Sequence, residues 1–187
     1  FIINYYPIEE SKRIIQDQLV DSTGLNRYCK IMQRVKSVDV SKDIIFQSQY
    51  NGFFKVRRNY EWRRIFYELL ESLKTQPANF TTIITTLFEK TGSIEAVYSS
   101  KMLTTLNPNK PILDNFILQR LGMQLIGKNK YEQLQNSIAL YDEIEKWYDE
   151  YLCTEDAKEC IDVFDRILPE FKWLSNIKKV EFFLKRH

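Results

Sequence analysis

The sequence predicts an all-α protein, about nine or ten helices in an orthogonal multi-helix arrangement. Three observations point to it. Apolar residues recur at three- and four-residue spacing along almost all of the 187 residues, capping residues punctuate the intervals, and only 5 Gly and 5 Pro occur. With 44% hydrophobic and 14% aromatic residues, the chain is long and apolar enough to bury a core, which excludes a disordered chain. It reads as a single domain, 1–187. A two-lobed variant has 1–74 and 131–187 flanking a core of 75–130.

Each element follows from its pattern and its punctuation. The first helix spans about Ile8 to Val20, with Ile14, Ile15 and Leu19 on one side; residues 21–24 then break it. The second runs from about Leu25 to Lys36 with Tyr28, Ile31, Met32 and Val35 inward. Ser41 opens a third that carries Ile44, Ile45 and Phe46 and ends near Asn51-Gly52. Asn59 is an N-cap for Tyr60 to Leu73. Asn79 or Thr81 starts a helix closed by Gly92, and Ser93 caps the next, which Asn107-Pro108 stops. Asp114 caps Asn115 to Leu121, closed by Gly122. Asn129 begins the longest helix, to about Leu152, with Tyr131, Leu134, Ile138, Tyr141, Ile144, Trp147, Tyr148 and Tyr151 as its stripe. Thr154 caps a helix ended by Pro169, and Ser175 opens a basic final one.

The inventory excludes several chemistries. The single His is His187, the last residue, which removes imidazole-based triads and dyads unless the tail folds back into a site. The glycines are scattered, so there is no phosphate-cradling G-x-G-x-x-G or P-loop. Cys29, Cys153 and Cys160 lack C-x-x-C spacing, so no zinc or other metal site and no cofactor is expected, and the thiols read as idle in a reducing compartment. Paired carboxylates such as Asp142 and Glu145, or Glu145 and Asp149, read as an exposed helix face rather than a Mg²⁺ site. With no long apolar run and no leader pattern, the expectation is a cytoplasmic protein with no membrane contact. Residue 1 is Phe rather than Met, so further residues are expected ahead of it.

Charge is unevenly placed. Residues 131–165 carry 2 Lys/Arg against 11 Asp/Glu, a net of −9, whereas 1–74 carry 13 against 9, a net of +4. Such asymmetry can steer a polyanion to one side or can be a solvated face. The richest basic stretch is Phe53 to Arg64, where Lys55, Arg57, Arg58, Arg63 and Arg64 alternate with Phe53, Phe54, Tyr60 and Trp62. Guanidinium groups clamp phosphates and aromatic faces stack on unpaired bases, which makes these five cations candidate nucleic-acid contacts. The alternative is that the aromatics are core anchors and the arginines are solvated or paired, with Glu61 and Glu68 among the partners.

The run from Gly92 through Ser93-Ile94-Glu95 to Lys101, followed by Asn107-Pro108-Asn109-Lys110-Pro111-Ile112-Leu113-Asp114-Asn115-Phe116-Ile117, resembles the active-site region of helix-hairpin-helix DNA glycosylases over roughly residues 80–123. The resemblance implies a DNA-glycosylase-like fold, DNA as partner, and Asp114 as the catalytic carboxylate that stabilises positive charge on the sugar as the base leaves. Only Lys90-Thr91-Gly92-Ser93 stands at the hairpin, without a second glycine. Glu95 occupies the position of the family's lyase lysine, so the implied activity is monofunctional, with Lys101 further along the helix. Asp114 is equally an ordinary N-cap. Two functions therefore stay open: DNA binding or monofunctional base excision, and a non-catalytic helical module on a degenerate glycosylase-like scaffold that docks a protein partner.

Overall fold

The computed structural model describes residues 6–17 and 20–185; Leu19 and His187, named above, lie outside them. Among the described residues every regular element is helical. The chain divides into two compact units, 22–107 and a second made of 1–21 with 108–187. The division falls after Asn107, inside the stretch 75–130.

In the 22–107 unit, α2 (Thr23–Val35), α3 (Ile44–Phe54), α4 (Tyr60–Ser72), α5 (Phe80–Thr91) and α6 (Ala96–Leu106) surround an aromatic core. Tyr28, Ile31, Met32 and Val35 are the buried face of α2, as the periodicity predicts. Tyr50 is fully buried and lies 4.5 Å from the Phe54 ring and 5.8 Å from Phe66, and Trp62 stacks on Phe66 at 5.2 Å. Such pairs add about 0.5–1.5 kcal/mol each beyond the area they bury. The Tyr50 hydroxyl does not go unpaired, since Thr105 Oγ1 stands 3.0 Å away.

The other unit contains α1 (Tyr6–Asp17), α7 (Asn115–Arg120), α8 (Lys130–Tyr151), α9 (Glu155–Ile167) and α10 (Asn176–Leu184). α10 packs against α9, α1 and α7. Trp147 and Tyr151 of α8 stack at 4.9 Å inside the core.

Several expectations change. Asp43 rather than Ser41 caps α3, and Phe46, Tyr50 and Phe54, spaced four apart, form its buried face and leave Ile44 and Ile45 exposed. Gly52 lies within α3, which runs on to Phe54. Ser93 is not a cap: Glu95 holds that position and its side chain makes no capping bond. Tyr131 lies exposed in the first turn of α8. On α1 the buried face is Ile8, Ser11, Lys12 and Ile15, with Ile14 only half-buried. The final helix is basic in sequence, yet Lys178 and Lys179 are buried and pair at 2.7 Å with Glu181 and Asp165.

Lys12 ties α1 to α9. Its ammonium lies 2.5 Å from Glu9, 2.7 Å from Asp156 and 3.1 Å from Glu159, with a side chain 2% exposed. Burial works against the Lys12 charge, but hydrogen bonds to Asp156, Glu9 and Glu159 outweigh it and hold its pKa above the ordinary lysine value. Burial likewise opposes ionisation of Asp156, yet bonds from Glu9, Lys12 and Tyr151 lower its pKa on balance. Glu9 is raised by its bond to Asp156 and so works partly in the opposite sense. The raised lysine stabilises the fold below its ordinary value and loses that contribution at higher pH. The lowered aspartate stabilises above its ordinary value and loses that contribution in acid. Protection factors of the α1 amides, the exchange rates divided into the intrinsic rate at each pH, should therefore be highest between about pH 5 and 9 and fall on either side. Lys12→Met, which leaves three carboxylates facing one another, should cost about 2–3 kcal/mol in urea unfolding. Unchanged stability would show that the cluster carries no weight.

Candidate functional site: the basic aromatic loop and the Asp114 cap

The basic stretch begins where α3 ends. Lys55 adopts a left-handed backbone (φ 54°), and the Lys101 ammonium donates to the Phe54 carbonyl at 2.6 Å. Lys101 is thereby a cap for α3 and sits 5.1 Å above the Tyr98 ring. The Tyr98 hydroxyl donates to the Lys55 carbonyl at 3.1 Å and accepts from the Arg57 amide at 3.3 Å, pinning the loop from α6. The Asn59 side chain then accepts from the Trp62 amide and starts α4.

Glu95 is the hub of this arrangement. Its carboxylate, 5% exposed, accepts from the Trp62 indole at 3.1 Å and from the Arg58 guanidinium at 3.1 and 3.3 Å. Arg58 also lies 5.1 Å over Tyr98 and 5.7 Å over Trp62. Arg64 is bound on both sides, 2.6 Å from Glu61 and 2.8 Å from Glu68, and these bonds raise its pKa. Of the five candidate contacts, Arg58 and Arg64 are therefore neutralised within the fold. Lys55 and Arg57 are exposed and Arg63 is half-buried; these three form no ion pair among the described residues.

α3 and α4 leave a groove of about 440 Å³ between them, lined by Ile44, Gln47 and Asn51 on one wall and Tyr60, Arg63 and Arg64 on the other. Ile44 is 79% and Tyr60 74% exposed. Asn51 takes the Tyr67 hydroxyl bond from below, and Gln47 donates to the Val40 carbonyl at 2.8 Å, so the floor is polar but held.

Asp114 belongs to the other unit, and both its oxygens are engaged. Oδ1 accepts from the Ile117 amide at 2.9 Å, and Oδ2 lies 3.1 Å from the Lys185 ammonium, with the side chain 20% exposed. The loop leading to it is fastened along its length. Ser175 donates to the Pro108 carbonyl at 2.7 Å, Tyr141 to that of Pro111 at 2.9 Å, and the Ile112 amide to Glu181 at 2.7 Å. Glu181 in turn holds the buried Lys178 ammonium, whose pKa burial pulls below the ordinary lysine value. Gly92, with φ 72°, ends α5 and gives its amide to the Phe88 carbonyl at 2.8 Å, while the Ser93 amide goes to Thr91 Oγ1 at 3.3 Å. The amides of Gly92 and Ser93 are thus bonded internally.

Other candidate groups are similarly occupied. Cys29, Cys153 and Cys160 are free, and burial pushes the Cys29 and Cys160 thiols up, away from reactive thiolate. Oxygens of Glu9, Asp156 and Glu159 lie within 4.8 Å of one another, with the Lys12 ammonium against all three. Glu145 pairs with Lys110 at 3.3 Å. Among the described residues no helix is long and apolar enough to cross a membrane. No known protein family, curated protein or solved structure matches the chain.

The sequence reading missed Glu95, Tyr98 and the Lys178–Glu181 pair as organising groups. The Glu95 partners stand 33 and 37 residues away, so no local pattern announces them. Glu95→Ala should cost about 2–3 kcal/mol, because it strands a buried indole N–H and removes the partner of a guanidinium. Asp114→Ala should cost about 1 kcal/mol, the usual worth of a capping side chain. Urea unfolding followed by tryptophan fluorescence measures both. A smaller loss at Glu95 than at Asp114 would remove Glu95 as the hub.

Proposed function

We propose that the chain is a non-catalytic helical interaction module that docks a protein partner, on a scaffold resembling helix-hairpin-helix DNA glycosylases. The observation that carries this reading is the state of Asp114. A carboxylate that stabilises an oxocarbenium-like sugar works by facing it with uncompensated charge in a dry pocket. Here one oxygen holds a helix N-terminus and the other faces Lys185. Glu95, at the position of the lyase lysine, is likewise committed to Arg58 and Trp62. Of the two positions the resemblance singles out, Asp114 is engaged on both oxygens, and Glu95 has no amine with which to form a Schiff base.

A second reading, DNA recognition, is favoured by Lys55, Arg57 and Arg63, which form no ion pair among the described residues, and by the exposed Tyr60. Its signature is affinity that falls steeply with salt as phosphate-bound counterions are released. Fluorescence anisotropy with a duplex bearing an abasic-site analogue, beside an undamaged duplex, separates the two readings. The module reading expects no lesion preference and, at physiological salt, no binding of either duplex. It also expects no base release above background from damaged duplexes and no borohydride-trapped adduct. Lesion-selective binding, or turnover abolished by Asp114→Asn, would reinstate the excision reading.

A further inference from the structure

We propose that the groove between α3 and α4 receives a short segment of a partner protein that presents a carboxylate beside apolar side chains. The proposal rests on the interaction-module reading and names the surface and chemistry of the partner.

The groove walls are two helix faces. Ile44, Gln47 and Asn51 stand at positions i, i+3 and i+7 of α3, and Tyr60, Arg63 and Arg64 at i, i+3 and i+4 of α4, so each wall is a continuous ridge. Such a trough accepts a helix or an extended peptide laid along it. Ile44, 79% exposed, and its neighbour Ile45, 54% exposed, face water in the first turn of α3, and Tyr60 does so in the first turn of α4. Large apolar side chains held in water at a groove are what an apolar anchor from a partner would cover.

Charge decides between a protein and a nucleic acid. Arg64 is already paired with Glu61 and Glu68, so the groove lacks the several open cations from which a phosphate chain draws its affinity. Arg63 alone lines the groove without an ion pair among the described residues, and a guanidinium fork matches one carboxylate. Tyr60 is one exposed ring, whereas Ile44 and Ile45 are aliphatic and suit apolar side chains better than a run of stacked bases. The 22–107 unit as a whole carries 13 Lys/Arg against 7 Asp/Glu, a net of +6, which steers an acidic partner towards it.

The test is selection of a phage-displayed library of random 12-residue peptides against the full chain. Selected peptides are then resynthesised and titrated against the chain and against Ile44→Asp and Arg63→Glu, two surface changes whose folding is checked by thermal unfolding. The expected peptides carry Asp or Glu next to Leu, Ile or Phe and bind each variant at least tenfold more weakly. Selected peptides that are basic, or that bind both variants as tightly as the parent, would overturn the groove while leaving the module reading standing. A library that yields no binder, with a single-stranded dT12 oligonucleotide binding and losing affinity on Arg63→Glu, would overturn both.

Discussion

The Glu95 carboxylate sits almost wholly out of water at the start of α6, and a charge in that position has to be matched. Arg58 and the Trp62 indole match it, and in doing so they fix the α3–α4 loop against α6. The Tyr98 hydroxyl and the Lys101 ammonium complete the attachment by occupying backbone groups that the end of α3 leaves unpaired. That one buried acid fixes Arg58 and Trp62, while Glu61 and Glu68 hold Arg64.

The same requirement governs the other unit. Lys12 is surrounded by Glu9, Asp156 and Glu159, Lys178 and Lys179 by Glu181 and Asp165, and Asp114 faces Lys185. Breaking a buried ion pair by removing one partner is costly, so such side chains are held in place by the fold that they stabilise. Both Asp114 oxygens and the Glu95 carboxylate are committed to partners inside the fold in this way.

Short-range rules made much of the fold legible. Asn59, Asn79, Asp114, Asn129, Thr154 and Ser175 were readable as caps because a cap and the amide it accepts from lie only three residues apart. The α2 face was readable because its four apolar residues follow one helical turn after another. The site was less legible, because its contacts are long-range. Lys12 looks like a solvated lysine until Asp156, 144 residues away, closes on it. The final helix is basic in sequence, and only the fold shows that Glu181 and Asp165 pair with its buried lysines. Ile44, Ile45 and Phe46 stand together in the sequence, and only the packing of α3 shows that Phe46 alone of the three turns inward.

The carboxyl carbon of Asp114 offers the most direct test of this account. Its ¹³C chemical shift, followed by NMR in the full chain while a duplex bearing an abasic-site analogue is added, reports whether that group ever faces a ligand. The account predicts a shift that stays constant to saturating duplex, with the Lys185 pairing intact. A saturable change at Asp114, lost when the duplex is replaced by undamaged DNA, would contradict it.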